Sequence, residues 1–253
     1  MLRLVALLVA ALLVPAVAEA ANPVLAAAKR SANAKSTTVQ LHLTAKVPGS
    51  PSVVMTGSGG TSGQRVKLRM RTSASGQRIP MDAVGLVEKS GYVMYIRSPA
   101  FEGQLPPGKS WVRIDLQKQG ASVGLDFSSL IGQSQTLAPL EYGLVSTKRL
   151  GTERVAGKPT THYRAVVDLR RAALAVPAYA KQLATVERAT GTRLGRVTQD
   201  VWVGADGRIR QLRSTAPTVS QGVRGTTVQT MTFLTYDVRV SISPPPRAQV
   251  FSP

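Results

Sequence analysis

The chain contains no cysteine. A disulfide framework, a thiolate metal site, a cysteine nucleophile and a lipid-bearing N-terminal cysteine are thereby excluded. Histidine is almost as scarce, with His42 and His162 alone. Both fall on the polar side of alternating segments, where a solvated imidazole is the simplest expectation. Neither H-E-x-x-H nor G-x-S-x-G occurs, so the zinc-protease helix and the serine-hydrolase elbow are missing. Acidic residues number 13 against 32 Lys and Arg. Asp200 and Asp206 are close in sequence, but Asp206-Gly207 reads as a hairpin turn. A glycosidase pair of carboxylates assembled from distant positions is a catalytic route that the pattern leaves open. Aromatics are 5% of the chain and scattered, which places nucleic acid last among partners because base stacking needs them clustered. The expectation is a protein that is not an enzyme and carries no metal or cofactor.

Long apolar runs are also lacking, with one exception. Met1 and Arg3 precede the unbroken apolar stretch Leu4 to Val14, and Ala18-Glu19-Ala20 supplies small residues around a cleavage point. Eleven residues at about 1.5 Å each fall well short of a bilayer core of about 30 Å. Residues 1–20 therefore read as a secretory signal peptide, and the extracytoplasmic remainder, residues 21–253, is long enough for one domain built on a large sheet or for two small ones. With no cysteine to carry a lipid, the mature protein is expected to be secreted or held in the cell envelope without a lipid anchor.

What is present in excess is positive charge, a formal +19. Such a surplus attracts anionic membranes or cell-wall polymers outside the cell. It is spread along strands, as in Arg65, Lys67, Arg69 and Arg71, and never forms the consecutive basic run of a nucleic-acid arm.

Asn22-Pro23 before an alanine-rich run predicts a capped helix to Ala34. From Thr37 the period becomes two, with Val39, Leu41, Leu43 and Ala45 against Gln40, His42, Thr44 and Lys46. Val66, Leu68 and Met70 repeat it, with Gly57 to Gly63 read as a loop between the two strands. Further strands are expected at residues 84–89, 92–97, 111–116, 146–153, 160–168, 198–203, 208–214 and 226–240, with tight turns at Ser90-Gly91, Ala156-Gly157 and Asp206-Gly207. Two segments at helical spacing interrupt them, one from Phe127 to Leu144 with a break at Ala138-Pro139, the other from Val176 to Val186. Gly103 to Ser110 matches G-x-x-x-x-G-K-[ST], but Pro106 and Pro107 remove amide donors and a strand pattern follows, so it reads as a loop entering a strand. The whole describes a large, mostly antiparallel, meandering sheet packed face to face with helices.

Such an apolar face either packs as a filled core or leaves a pocket, and on pattern alone the filled core is the simpler reading. Three stretches then resemble a known family: Lys109 to Asp115, Val155 to Tyr163 running on to Asp168, and Val201 to Leu212, with Val240 to Pro246 closing the likeness. In order and spacing they are similar to the mycobacterial LppX/LprG family of envelope lipid carriers, within the LolA-like superfamily. The resemblance implies that residues 21–253 form a single lipid-binding domain of α+β fold, a strongly curved antiparallel half-barrel whose concave face is covered by helices. It also implies a hydrophobic cavity between them for acyl chains of lipids or lipidated molecules. Expected lining positions are Val39, Leu41, Leu43, Val66, Leu68, Met70, Met94, Phe127, Leu130, Ile131, Leu140, Leu144, Leu183, Met231 and Phe233. The alternative is a non-enzymatic envelope binding or regulatory protein that uses its cationic surface and has no lipid pocket. A lipid-sensing regulator on the same fold is a third.

Overall fold

The computed structural model describes residues 22–88, 91–115, 133–220 and 222–253. The signal segment, Ser90 and the expected lining residues Phe127, Leu130 and Ile131 lie outside them. The described chain builds one unclosed sheet of twelve strands. They are β1 (Ser36–Lys46), β2 (Val53–Ser62), β3 (Arg65–Ala74), β4 (Gln77–Glu88), β5 (Gly91–Arg97), β6 (Trp111–Asp115), β7 (Leu144–Val155), β8 (Lys158–Asp168), β9 (Arg196–Gly204), β10 (Ile209–Ser220), β11 (Val223–Tyr236) and β12 (Val250–Phe251). Their order is β12-β6-β5-β4-β3-β2-β1-β11-β10-β9-β8-β7. Two meanders, β1 to β6 and β7 to β11, are thus joined where β1 pairs antiparallel with β11. Every pairing is antiparallel except that of β12 along β6.

Among the described residues four α-helices accompany the sheet: α1 (Pro23–Ala32), α2 (Gln133–Tyr142), α3 (Leu169–Ala175) and α4 (Pro177–Thr190). Helix α1 starts where expected, because the Asn22 side chain accepts from the amides of Val24 and Leu25 and Pro23 occupies the first turn. Asp168 caps α3 in the same way, accepting from Arg170 and Arg171. Arg170 then pairs with Glu187 of α4, whose carboxylate also accepts from the Leu194 amide at 2.6 Å. No helix among the described residues is long and apolar enough to cross a membrane.

Three expectations are corrected. Gly57 to Gly63 is not a loop: its first six residues belong to β2, paired on both sides with β1 and β3. The glycines are there because backbones come close. A Cβ on Gly59 would stand 2.0 Å from the Lys67 carbonyl oxygen, and one on Gly60 2.8 Å from that of Thr37. Ala138-Pro139 does not break α2, since Pro139 sits inside the helix. Strand β11 ends at Tyr236, and the residues expected to extend it to Val240 leave the ladder. The Asp237 amide still bonds the Ser36 carbonyl, and the Ser36 hydroxyl bonds that of Val238. From there the chain passes Gly60 and Arg65 to reach β6, where the Ser110 amide bonds the Gln249 carbonyl. This tail is a strap across one face of the sheet. Ala156-Gly157 is the turn expected, with both residues at positive φ, and Gly103 to Ser110 is a loop leading into β6.

Candidate functional site

Alternation gives the sheet two faces of different chemistry. On the inner face stand Val39 and Leu41 of β1, Val66, Leu68 and Met70 of β3, Ala83 of β4, and Met94 and Ile96 of β5. Met231 and Phe233 of β11, Val201 and Val203 of β9, and Ala165 and Val167 of β8 continue it, and all belong to one buried cluster. Helix residues Val24, Ala27, Ala28, Leu137, Leu140, Leu169 and Leu183 join the same cluster. Of the positions expected to line a cavity, Val39, Leu41, Val66, Leu68, Met70, Met94, Leu140, Leu183, Met231 and Phe233 are therefore brought together. Leu144 packs against them half-buried. Leu43 is half-buried and lies outside the cluster.

Strand β2 offers the inner face two positions without a side chain. Gly57 lies opposite Leu41 and Met70, and Gly59 opposite Val39 and Leu68. Met70 and Leu68 lean over these gaps, at 3.1 and 2.9 Å from where a Cβ would be. Sequence reasoning passed over Met81, Tyr92 and Ile96, which also belong to or pack against the cluster. The run Gln77 to Ala83 hid Met81 because Pro80 interrupts its alternation. Tyr92 hides a hydroxyl: burial raises its pKa well above the usual tyrosine range, and the oxygen has no hydrogen-bond partner among the described residues. A Cβ on Gly85 would lie 2.2 Å from that oxygen.

The opposite face is polar. Asp82 sits between Arg69, at 3.3 Å, and Arg97. Burial pushes its carboxyl upward, but the two guanidinium groups outweigh this and hold it below the usual range. A groove of about 650 Å³ opens over Gln40, His42, Thr56, Ser58, Arg69, Arg71, Thr230 and Thr232. Beside it the Gly103–Ser110 loop borders a hollow of about 470 Å³ with Pro80, Met81 and Arg97. Further along, His162 is not the solvated histidine expected. It is 9% exposed, stacked on Trp202 with ring centroids 4.2 Å apart, and its Nδ1 lies 2.8 Å from Glu153. Its Nε2 lies 3.4 Å from Asp200 without the alignment of a hydrogen bond. Glu153 also accepts from the Trp202 indole at 2.9 Å, and these two donors, Trp202 first, hold its pKa down. His42 is exposed.

At the β4–β6 end this face is apolar as well. Val84, Leu86, Val93, Tyr95 and Trp111 form a second buried cluster under Ile242, Val240 and Val250 of the strap. Tyr95 donates to Glu88, and that bond, followed by Arg113 at 2.9 Å, lowers the Glu88 pKa. Among the described residues no group of His and carboxylates is placed to hold a metal ion.

No protein-family model and no curated protein sequence matches the chain. Among solved structures it is similar to LprF of Mycobacterium bovis, at 12% identity and a TM-score of 0.47, over 88% of this chain and 95% of that one. It is similar to the lipoprotein LppX of Mycobacterium tuberculosis at 14% identity and a TM-score of 0.46, over 88% of this chain and all of that one. A LolA superfamily protein of Nitrosomonas europaea is similar at 9% identity and a TM-score of 0.31, over 88% and 93% of the two chains.

Proposed function

We propose that this chain is a non-enzymatic, extracytoplasmic carrier that binds acyl chains of lipids or lipidated molecules between a curved sheet and its helices. The observation that carries the reading is the make-up of the inner face. From β5 across β1 to β8 it offers Val, Leu, Ile, Met and Ala with one Phe, and the described helices make their main sheet contacts with β7 to β10. An alkyl chain would lie along this face, between sheet and helices. Each methylene buried there contributes about 0.8 kcal/mol and requires no aimed hydrogen bond. Gly57 and Gly59 support a bend of the sheet toward this side, since glycine in a strand interior marks sharp curvature or a close approach. The Tyr92 hydroxyl would meet the ester or carboxyl oxygen of the guest and so gain the partner it lacks. The methionines suit a guest of variable shape, because the thioether adapts to irregular space.

The test is native mass spectrometry of the protein purified from its own host, paired with solvent extraction and reloading with palmitic acid. A discrete added mass that extraction removes and palmitate restores is expected. An extract free of lipid, together with an unshifted mass after reloading, overturns the proposal.

A further inference from the structure

We infer that the face opposite the helices binds a second ligand, an extended polymer of polyols or sugars joined by phosphodiesters. The strand register places the evidence in two rows. One runs Arg71, Thr56, His42, Thr230, Arg213, Asp200 and Arg164 across β3, β2, β1, β11, β10, β9 and β8. The other runs Arg97, Asp82, Arg69, Ser58, Gln40, Thr232 and Gln211 across β5 to β10 through the same strands. Five arginines thus face two carboxylates, and the carboxylates are engaged: Asp82 by Arg69 and Arg97, Asp200 by Arg164 at 3.1 Å. Arg71 and Arg213 are exposed, and neither has a hydrogen-bond or ion-pair partner among the described residues.

The spacing selects the ligand. Four strand-to-strand steps separate Arg71 from Arg213, about 19 Å at about 4.8 Å per step. Between them stand only hydroxyl, amide and imidazole groups, those of Thr56, Ser58, Gln40, His42, Thr230 and Thr232, along the 650 Å³ groove. A polyol phosphodiester matches both halves of this pattern. Its phosphates suit the guanidinium forks at the two ends, and its hydroxyls suit the uncharged middle. A membrane surface fits less well, because no apolar or aromatic side chain stands in either row between Arg71 and Arg213 to enter an acyl layer. Nucleic acid fits less well for a related reason: on the described part of this face Trp202 is covered by His162 and Tyr95 and Trp111 are buried under the strap, leaving these rings closed to a base.

The experiment measures binding of soluble poly(glycerol phosphate) to the full chain at low salt by titration calorimetry. Three variants accompany the wild type: Arg71→Gln with Arg213→Gln, Lys29→Gln with Lys181→Gln on the helices, and Thr56→Val with Thr230→Val. The sheet pair is expected to lose at least about tenfold in affinity through two charge-assisted hydrogen bonds. The helix pair, which sheds the same two charges, should stay within about twofold. The threonine pair should weaken the glycerol polymer but leave long-chain inorganic polyphosphate, which has no hydroxyls to recognise, unaffected. Equal losses in both charge-matched pairs would reduce the effect to net charge and overturn the proposal. So would stronger retention on phosphatidylglycerol vesicles than on the polymer, or no binding at low salt. All substituted residues are exposed or half-buried, and circular dichroism of each variant confirms that the sheet persists.

Discussion

Leu41 separates a guest-filled inner face from a self-filled one. It is 7% exposed, faces Met231 on one side and Gly57 on the other, and has Met70 leaning in across the glycine. Replacing it by Ala removes three carbon atoms, about 2.4 kcal/mol at about 0.8 kcal/mol per methylene. In a rigid filled core a residual cavity adds to this, and the total approaches about 4–5 kcal/mol. Here both flanking side chains are methionines, unbranched and able to swing into the space, so the delipidated protein should lose only about 2–3 kcal/mol. Palmitate at a hundredfold excess over its dissociation constant adds about 2.7 kcal/mol to the wild type. In the variant this increment should shrink, because the guest loses a wall. The assay is urea unfolding of extracted and reloaded protein, comparing midpoints at constant slope. A loss near 4–5 kcal/mol that is identical with and without palmitate would show the space to be plugged by the protein itself, and the reasoning would fail.

Four further outcomes are expected. Gly59→Ala places a methyl group against the Lys67 carbonyl and should abolish soluble expression, whereas Gly63→Ala, with open space around it, should cost about 1 kcal/mol through its positive φ alone. Ending the chain at Tyr236 strips the strap from Val84, Leu86, Val93, Tyr95 and Trp111; the shortened protein should aggregate, and in dilute solution its tryptophan emission should shift to the red. Tyr92→Phe should leave the extracted protein as stable as before or slightly more so, since the lost hydroxyl has no partner to miss, and should weaken binding of palmitate; unchanged binding would remove Tyr92 from the site. Asp82, Glu88, Glu153, Glu187 and Asp237 all have folded pKa values below their ordinary ones. Their contribution is therefore complete above about pH 5 and is lost as the pH falls through the ordinary carboxylate range toward the folded values. Melting temperature should drop on acidification below about pH 4.5, and Glu153→Gln, which removes one of these groups, should flatten the drop.

The two-residue period made most strands legible, because one wet and one buried face leave an unambiguous mark on β1, β3 and β11. The helix caps at Asn22 and the turn at Ala156-Gly157 were legible for local reasons of the same kind. Strand β2 was not, and the cause is physical. Gly57, Gly59 and Gly60 look like a flexible loop when judged by composition, but in the sheet they answer a contact with residues elsewhere in the chain, the backbones of β1 and β3. A side chain that is missing because a distant carbonyl occupies its place leaves no periodic signal. His162 failed for a similar reason. Alternation places it on the polar side, yet its cover comes from Trp202, forty residues on, and from Glu153 across the hairpin.

The strand order carries the larger consequence. Taken singly, Arg71 and Arg213 are two exposed cations among 32 basic residues, and a scattered charge surplus reads as a solvated surface. Their meaning comes from β1 pairing with β11, a contact between opposite ends of the chain that joins two meanders into one sheet. That single junction sets Leu41 beside Met231 on one face and His42 beside Thr230 on the other. The same register therefore unites the apolar positions proposed to hold an acyl chain and aligns the arginine-ended row proposed to hold a polyanion. Changes that shift this junction by one residue would exchange the two faces, since each strand presents alternate residues to opposite sides. Both binding functions should then be lost together, whereas point changes on either face should impair one and spare the other.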